Sequence, residues 1–244
     1  MKFQINKDLN SWFSKTTGRG LDDILLVLTK EGIKVKQSDS DSKIRFVNAS
    51  IKPEDKNITK FEELKDTIEL PIVEFGKFMS TIDTFHDVID IDLSDTDKII
   101  LKGKNRKVTY NLVEKSYIQG IPKKDVELEY KRIQKISSNF LRKVRKDISI
   151  TGGDYVHIIQ KDQILTFISG ENTNVTMEES IETAIKKEIN IDIEASFFME
   201  VVGNISEDEV EIGLENDEYP MMIKETGEHW TVINYLAPME VDRS

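Results

Sequence analysis

The chain has 244 residues, 38% of them hydrophobic and 32% charged, with a formal net charge of −11 and no cysteine. This composition suits a globular protein with one large core or two ordinary ones. It excludes disulfide staples and thiolate metal centres, and it argues against a surface that coats nucleic acid everywhere, although phosphate responds to where cations sit rather than to their sum. His86, His157 and His229 stand apart in sequence, and no apolar run reaches membrane-spanning length. The opening MKFQINKDLNSWF turns polar too early for a signal peptide, so an intracellular, soluble protein is expected.

One structural phrase, a strand, a helix and three strands, recurs from near Lys2, Asp66, Glu129 and Lys187. The first copy predicts a strand over Lys2–Asn6, a helix over Asp8–Thr17 and strands over Asp23–Thr29, Gly32–Gln37 and Lys43–Ile51, with a polar turn from Ser38 to Ser42. Lys52–Lys65, with Pro53 and many charges, reads as an exposed connection. The second copy opens with Asp66–Leu70. Pro71 then suits a helix's first turn, and Ile72, Phe75, Phe78, Met79, Ile82 and Phe85 make one buried stripe of a helix over Ile72–Phe85. Strands follow at Val88–Leu93, Lys98–Lys102 and Lys107–Val113.

Glu114–Leu128 breaks the periodicity and reads as a linker, so domains are expected at 1–113 and 129–244 around a connector at 114–128. The third copy predicts Glu129–Ile136, a helix over Asn139–Asp147 capped by Ser137 or Ser138, and strands over Tyr155–Gln160, Gln163–Ser169 and Asn172–Glu179. The fourth predicts Lys187–Ile193, a helix over Glu194–Asn204, and strands over Glu209–Glu215, Tyr219–Lys224 and His229–Leu236. The fold class is α+β, with antiparallel sheets and the helices on one side.

The cations are uneven. Arg142, Lys143, Arg145 and Lys146 crowd the third helix opposite its stripe of Phe140, Leu141, Val144 and Ile148. The second helix offers Lys77 with Glu74, Thr81 and Thr84. The first offers Lys7, Ser14 and Lys15, with Arg19 beyond, and the fourth Ser196, Glu200 and Asn204 and no cation. Such faces either meet phosphate backbone without reading bases or are simply solvated. The run Asp87, Asp90, Asp92, Asp95 and Asp97 lacks the ligand spacing, central glycine and terminal glutamate of a calcium loop; a metal-dependent nuclease using it is the rival reading, although no metal is expected. Phosphate-loop, dinucleotide and nucleophile-elbow motifs are absent. Tyr117, Ile118, Ile121 and Pro122 in the connector, and Tyr235, Leu236, Ala237 and Pro238 near the C-terminus, are apolar segments that either mark a partner site or tuck into the core.

Gly120-Ile121-Pro122, the stretch from Gly227-Glu228-His229 to Tyr235-Leu236-Ala237-Pro238, Gly32-Ile33-Lys34-Val35 and the strand and basic helix of Glu129–Asp147 resemble the sliding DNA clamps of the proliferating cell nuclear antigen type, over nearly the whole chain. The resemblance implies two similar DNA-clamp domains per chain, and three chains joined head to tail in a ring with helices lining the hole. It implies double-stranded DNA as a sequence-independent partner, met by Lys7, Lys15, Arg19, Lys77, Arg142, Lys143, Arg145 and Lys146. It also implies a peptide pocket for a replicative polymerase at Ile118, Ile121, Pro122, Tyr235, Leu236, Ala237 and Pro238, and an ATP-driven loader. Lys107, Val108, Thr109 and Tyr110 would pair with Asn174, Val175, Thr176 and Met177 of the next copy. No cofactor, membrane contact or enzymatic activity is implied, and the expected setting is a prokaryotic or virus-infected cell. A monomeric adaptor of the same architecture is the other alternative. In place of the family's methionine and histidine beside the pocket stand Ser38 and Ser42, and Glu200 replaces a lysine usual on the fourth helix.

Overall fold

The computed structural model describes residues 1–39, 44–61, 66–86, 88–122 and 128–240. Asp87 of the acidic run, residues 40–43 of the first polar turn, residues 62–65 of the long connection and residues 123–127 of the connector lie outside the described residues, as do 241–244. Contacts divide the chain into two units: Met1–Asp41 with Val47–Lys124 and Gly227–Val232, and Ser42–Phe46 with Asp125–Thr226 and Ile233–Ser244. Among the described residues no helix is long and apolar enough to cross a membrane.

In the first unit, β1 (Lys2–Ile5) leads into α1 (Asn10–Phe13), which is flanked by 3-10 turns at Lys7–Leu9 and Ser14–Thr16. The expected continuous helix is broken into these pieces. Ser11, Ser14, Thr16 and Thr17 each donate a side-chain hydroxyl to the carbonyl three residues back, a local bond that competes with the α-helical ladder. Next come β2 (Ile24–Thr29), β3 (Gly32–Ser38), β4 (Arg45–Ile51), β5 (Ile58–Thr59) and β6 (Ile68–Ile72). After α2 (Phe75–Asp83) follow β7 (Ile89–Asp92), β8 (Lys98–Lys102) and β9 (Lys107–Asn111). One sheet has the order β5-β1-β7-β8-β9; a second run has β4-β3-β2-β6.

Pro71 does not start a helix, contrary to expectation. It lies in β6, opposite Leu25 of β2, at the end of its sheet, where its missing N–H breaks no inner ladder. The helix starts only at Phe75, after Glu74 takes a left-handed φ of 50°. The connection after β4 is likewise not wholly exposed, because Ile58 is buried and β5 pairs with β1. Phe13, Phe75, Phe78 and Ile82 from the helices pack with Ile24, Leu28, Ile91 and Leu101 from the sheets in a single apolar core, the main driving force of this unit.

The second unit contains β10 (Ile133–Ser137), α3 (Ser138–Thr151), β11 (Tyr155–Lys161), β12 (Ile164–Ser169), β13 (Met177–Glu182), β14 (Ile189–Glu194) and α4 (Ala195–Gly203). It closes with β15 (Glu209–Gly213), β16 (Met221–Thr226) and the later residues of β17 (Trp230–Leu236). The strand orders are β13-β12-β11-β14 and β10-β15-β16-β17. Ser137 is the cap of α3, its Oγ accepting from the Asn139 N–H at 3.3 Å. The helix outruns its expected end at Asp147 because Ile148 and Thr151 continue the buried stripe of Leu141 and Val144. It stops at Gly152, where φ is +67°, a conformation glycine adopts without strain.

β13 begins later than expected. Thr173 Oγ1 donates to the carbonyls of Gly170 (3.0 Å) and Val175 (2.8 Å), and Gly170 itself has φ +79°. The chain therefore turns until Val175, which leaves Asn174, Val175 and Thr176 outside the strand.

The second core gathers Leu141, Val144, Phe167, Phe198, Val201, Ile212 and Leu236. Beside it lies a buried cation that the sequence did not announce. Arg45, fully buried, donates from Nε to Asn234 Oδ1 at 2.9 Å and from Nη1 to Glu200 Oε1 at 2.5 Å. Glu200, expected on an outward face, is turned to this arginine.

Candidate functional site

The densest cationic surface is α3. Its apolar stripe fixes the rotation of the helix, so Arg142, Lys143, Arg145 and Lys146 are all exposed. The four are not equivalent. Arg142 donates to Asn139 Oδ1 (2.9 Å) and to the Ile205 carbonyl (3.2 Å), and Arg145 Nε donates to the Met199 carbonyl at 3.0 Å. The arginines thus brace α3 against α4, and the Arg145 guanidinium lies so near Gly203 that a Cβ there would meet it at 3.1 Å. Lys143 makes a loose pair with Glu179 at 3.9 Å. Burial and the Glu179 charge raise the Asp147 carboxyl above its ordinary value, against the pull of Lys143 and Lys146.

In the first unit Lys7, Arg19 and Lys77 are exposed, and Lys77 pairs with Glu74 one turn away. Lys15 corrects the sequence reading. It does not face outward but is only 4% exposed, with Nζ 5.1 Å from the centre of the Trp230 ring. A cation over an indole face is held by the ring's quadrupole.

Two sheets end in strands that carry expected interface residues. β9 ends the five-stranded sheet and β13 the four-stranded one. On β9, Lys107, Thr109 and Asn111 are exposed while Val108 and Tyr110 turn inward, and the Tyr110 hydroxyl donates to the Val73 carbonyl. On β13, Glu178, Ser180 and Glu182 are exposed. Of the second set of expected interface residues, only Met177 lies in the edge strand.

The apolar segments separate into buried and accessible parts. Ile118 is buried and Leu236 fully so, the latter within the second core. Tyr117 is 67% exposed, and Ile121, Pro122, Ala237 and Pro238 are half-buried. In the first unit the connector is tied down where it starts. The Ser38 N–H donates to the Gly120 carbonyl at 2.8 Å, and Gln37 Nε2 donates to the Gln119 carbonyl at 3.2 Å. In the second unit Tyr235 belongs to a ladder of rings. Its ring stacks on Phe46 at 5.6 Å and on Tyr130 at 6.1 Å, and Tyr130 meets Tyr219 edge-on at 5.2 Å. Tyr130 donates its hydroxyl to the Pro220 carbonyl at 2.7 Å, and burial, then its tyrosine neighbours, raise its pKa far above the usual phenol value. Phe46, Tyr130 and Tyr219 were missed from sequence; the signal was a single tyrosine amid charge in each of ELEYKR and NDEYPM.

Three aspartates of the acidic run, Asp90, Asp92 and Asp95, are occupied by neighbouring side chains. Asp92 is buried and receives bonds from Ser94 Oγ (2.7 Å) and Lys102 Nζ (3.1 Å), which hold its carboxyl below the usual range, Ser94 first. Asp90 accepts from Gln4 at 2.6 Å, and Asp95 pairs with Lys98 at 2.6 Å. The described residues that bring three potential metal ligands within 4.8 Å are instead His157, Glu171 and Asp192. Cross-strand pairing of β11 and β14 sets His157 opposite Asp192, with Nδ1 and Oδ1 2.8 Å apart.

No protein-family model and no curated protein sequence matches the chain. Solved structures do. The proliferating cellular nuclear antigen of Entamoeba histolytica is 19% identical, with a TM-score of 0.77 and 98% of both chains covered. A chain of the PCNA2–PCNA3 complex from Sulfolobus tokodaii is 17% identical, with a TM-score of 0.75, covering 98% of this chain and 99% of that one. A structure of the C-terminal region of FEN-1 bound to A. fulgidus PCNA matches at 13% identity and a TM-score of 0.79 over 99% of each chain. These likenesses, spanning almost every residue at identities where only architecture is still readable, establish that the chain has the α+β fold of the PCNA-type sliding clamps.

Proposed function

We propose that this chain is a DNA sliding clamp: three copies close into a ring around duplex DNA and tether a replicative polymerase. The observation that carries the reading is the whole-chain likeness to PCNA structures, with 98–99% of this chain covered. Retention by topology needs only weak, sequence-blind attraction to phosphate. The exposed cations of α3 suit that role, with Lys7, Arg19 and Lys77 in support.

The two edge strands favour head-to-tail closure. Lys107, Thr109 and Asn111 of β9 would face Glu178, Ser180 and Glu182 of β13 in the next copy, opposite charges on neighbouring strands being favourable. Closing on itself gives a ring rather than a fibre and covers edges that would otherwise invite aggregation. Tyr235 with its ring ladder, together with Ala237 and Pro238 of the same unit, is the proposed seat for short partner peptides. An ATP-driven loader is implied because no nucleotide motif occurs in the sequence. The reading is non-enzymatic and places the protein where a prokaryotic cell or a virus in its host copies DNA.

Loading onto a nicked circular duplex, followed by linearisation, tests this. A clamp stays on the closed circle and runs off once an end exists. Equal retention on both forms, or a chain that stays monomeric at micromolar concentration with or without a loader, would sink the reading.

A further inference from the structure

We propose that the open edge of β10 is a docking site for an extended acidic segment of a partner protein, which adds to the sheet as a further strand. The internal repeat supplies the comparison. Asn6 caps the turn after β1 and Ser137 caps α3 after β10, so Gln4 and Asn6 correspond to Lys135 and Ser137. In the first unit the outer edge of β1 is covered: Gln4 lies opposite Thr59 and Ile5 opposite Ile58, and the Asn6 N–H donates to the Asn57 carbonyl at 2.8 Å. In the second unit, among the described residues, β10 pairs with β15 alone.

The ladder shows which groups face outward. The Leu214 N–H donates to the Arg132 carbonyl and the Ser138 N–H to the Asp208 carbonyl, in the register that sets Ile133 opposite Gly213. Even-numbered residues therefore bond to β15, and the main-chain groups of Ile133, Lys135 and Ser137 point to the open side. A side chain occupies part of that edge. The Gln134 carboxamide accepts from the Ala184 N–H at 3.1 Å and donates to the Lys135 carbonyl at 3.0 Å. An amide group thus stands where a peptide unit of an added strand would stand.

The surroundings define the occupant. A groove of about 480 Å³ lies at the Ile133 end of this edge, lined by Lys131, Arg132, Ile133, Ala184, Lys186 and Lys187 among others. Ile133 is 47% exposed at its side. Arg132 is held by Glu215 at 2.7 Å, and Glu188 is turned to Lys161 at 3.6 Å. Among the described residues no carboxylate pairs with Lys131, Lys186 or Lys187, and the Lys187 ammonium donates to the Glu215 carbonyl. Lysines by themselves are ordinary protection for an edge. A groove with an exposed isoleucine, beside main-chain groups held by a side chain, is in addition what strand addition uses: backbone bonds for affinity, alternate side chains for selection. On a chain of net charge −11, this cationic trough selects glutamate or aspartate alternating with aliphatic residues.

The test uses the full chain and a fluorescent, acetylated heptapeptide alternating glutamate with valine. Binding is followed by anisotropy and by hydrogen exchange. The peptide is expected to bind and to slow exchange at the Ile133 and Lys135 amides. A peptide with lysine for glutamate, and one N-methylated at alternate amides, are expected to fail. Lys131→Glu with Lys186→Glu is expected to weaken binding about tenfold or more, since two attractive rim charges become repulsive. Gln134→Ala, which removes the side-chain placeholder and leaves the core untouched, is expected to tighten it and keeps the idea testable should the double variant misfold. No binding, equal binding of the N-methylated peptide, or displacement and the same protection by a single-stranded oligonucleotide would each overturn the proposal. All these residues lie in one unit, and none of them belongs to the β9 and β13 edges proposed for ring closure.

Discussion

Replacing Arg45 with alanine probes the buried ion pair most directly. The guanidinium is fully buried and has Asn234 and Glu200 among its partners. Removing one member of a buried pair costs about 3–5 kcal/mol, because the other charge is left without compensation. Here the discount is sizeable, since the Glu200 side chain is 25% exposed and water can reach it once the arginine is gone. Against that, Asn234 Oδ1 loses its donor in a 6%-exposed residue, a further ~1–3 kcal/mol of desolvation. The expectation for Arg45→Ala is a loss of about 3–4 kcal/mol, set by the unpaired groups rather than by the pair's own worth. Glu200→Gln, which keeps an acceptor, should lose about 1 kcal/mol, and the Arg45→Ala, Glu200→Ala cycle should show coupling of about 1–3 kcal/mol. Urea unfolding supplies the assay, with two reporters. Trp12 and Trp230 both lie in the first unit, whereas Tyr130, Tyr155, Tyr219 and Tyr235 lie in the second. The effect should appear in the tyrosine near-ultraviolet signal and leave the tryptophan transition nearly in place. A loss below about 1 kcal/mol, or coupling indistinguishable from zero, would refute the reasoning that this pair holds the second unit together.

Three further outcomes are expected. Lys143→Glu with Lys146→Glu should shorten retention on closed-circular duplex and lower the slope of log affinity against log salt by about 0.9 for each phosphate that is no longer neutralised, with the melting temperature unchanged because neither side chain is packed; an unaltered slope would remove α3 from the DNA-facing surface. Lys107→Glu should shift sedimentation from the oligomer toward the monomer, and Glu182→Lys in the same chain should restore the oligomer; a double variant that stays monomeric would mean the two edges do not meet. Asp92 has a folded-state pKa below its ordinary 3.8, so the stability it contributes is complete above that value and is lost as pH falls through the lower folded value. Melting temperatures measured from about pH 2 to 5 should fall less steeply for Asp92→Asn than for the parent, and parallel curves would show that the carboxylate is not the group being titrated.

The fourfold strand–helix–three-strand phrase was legible because side-chain periodicity is local, and β8 and the cap of α3 needed no tertiary information. What was not legible depends on distant partners. Pro71 is a strand residue only because β6 ends its sheet, a position no single sequence displays. The two-residue β5 hid among charges, since its partner β1 lies more than fifty positions away. Lys15 reads as an outward-facing cation and nothing in sequence singles out Arg45, because Trp230, Asn234 and Glu200 reach them only in the fold. The late start of β13 came from hydroxyl bonding by Thr173, which β propensity ignores. At the candidate site the cationic helix was visible from its spacing, whereas the ring ladder of Phe46, Tyr130, Tyr219 and Tyr235 combines residues from widely separated stretches of chain and could not be read from any one of them.

The stitch between Gly120 and Ser38 has a consequence for how anything could settle on the start of the connector. Gly120 holds φ at +73°, and a methyl there would fall 2.0 Å from the Ser38 carbonyl oxygen, so the two backbones touch with no space to spare. Residues 118–120 have therefore surrendered their freedom during folding, at roughly 1–2 kcal/mol per residue. A ligand laid along them meets a rail already straightened and owes little entropy there, so its dwell time would be governed by the side chains it presents and hardly at all by the persuasion of a wandering loop.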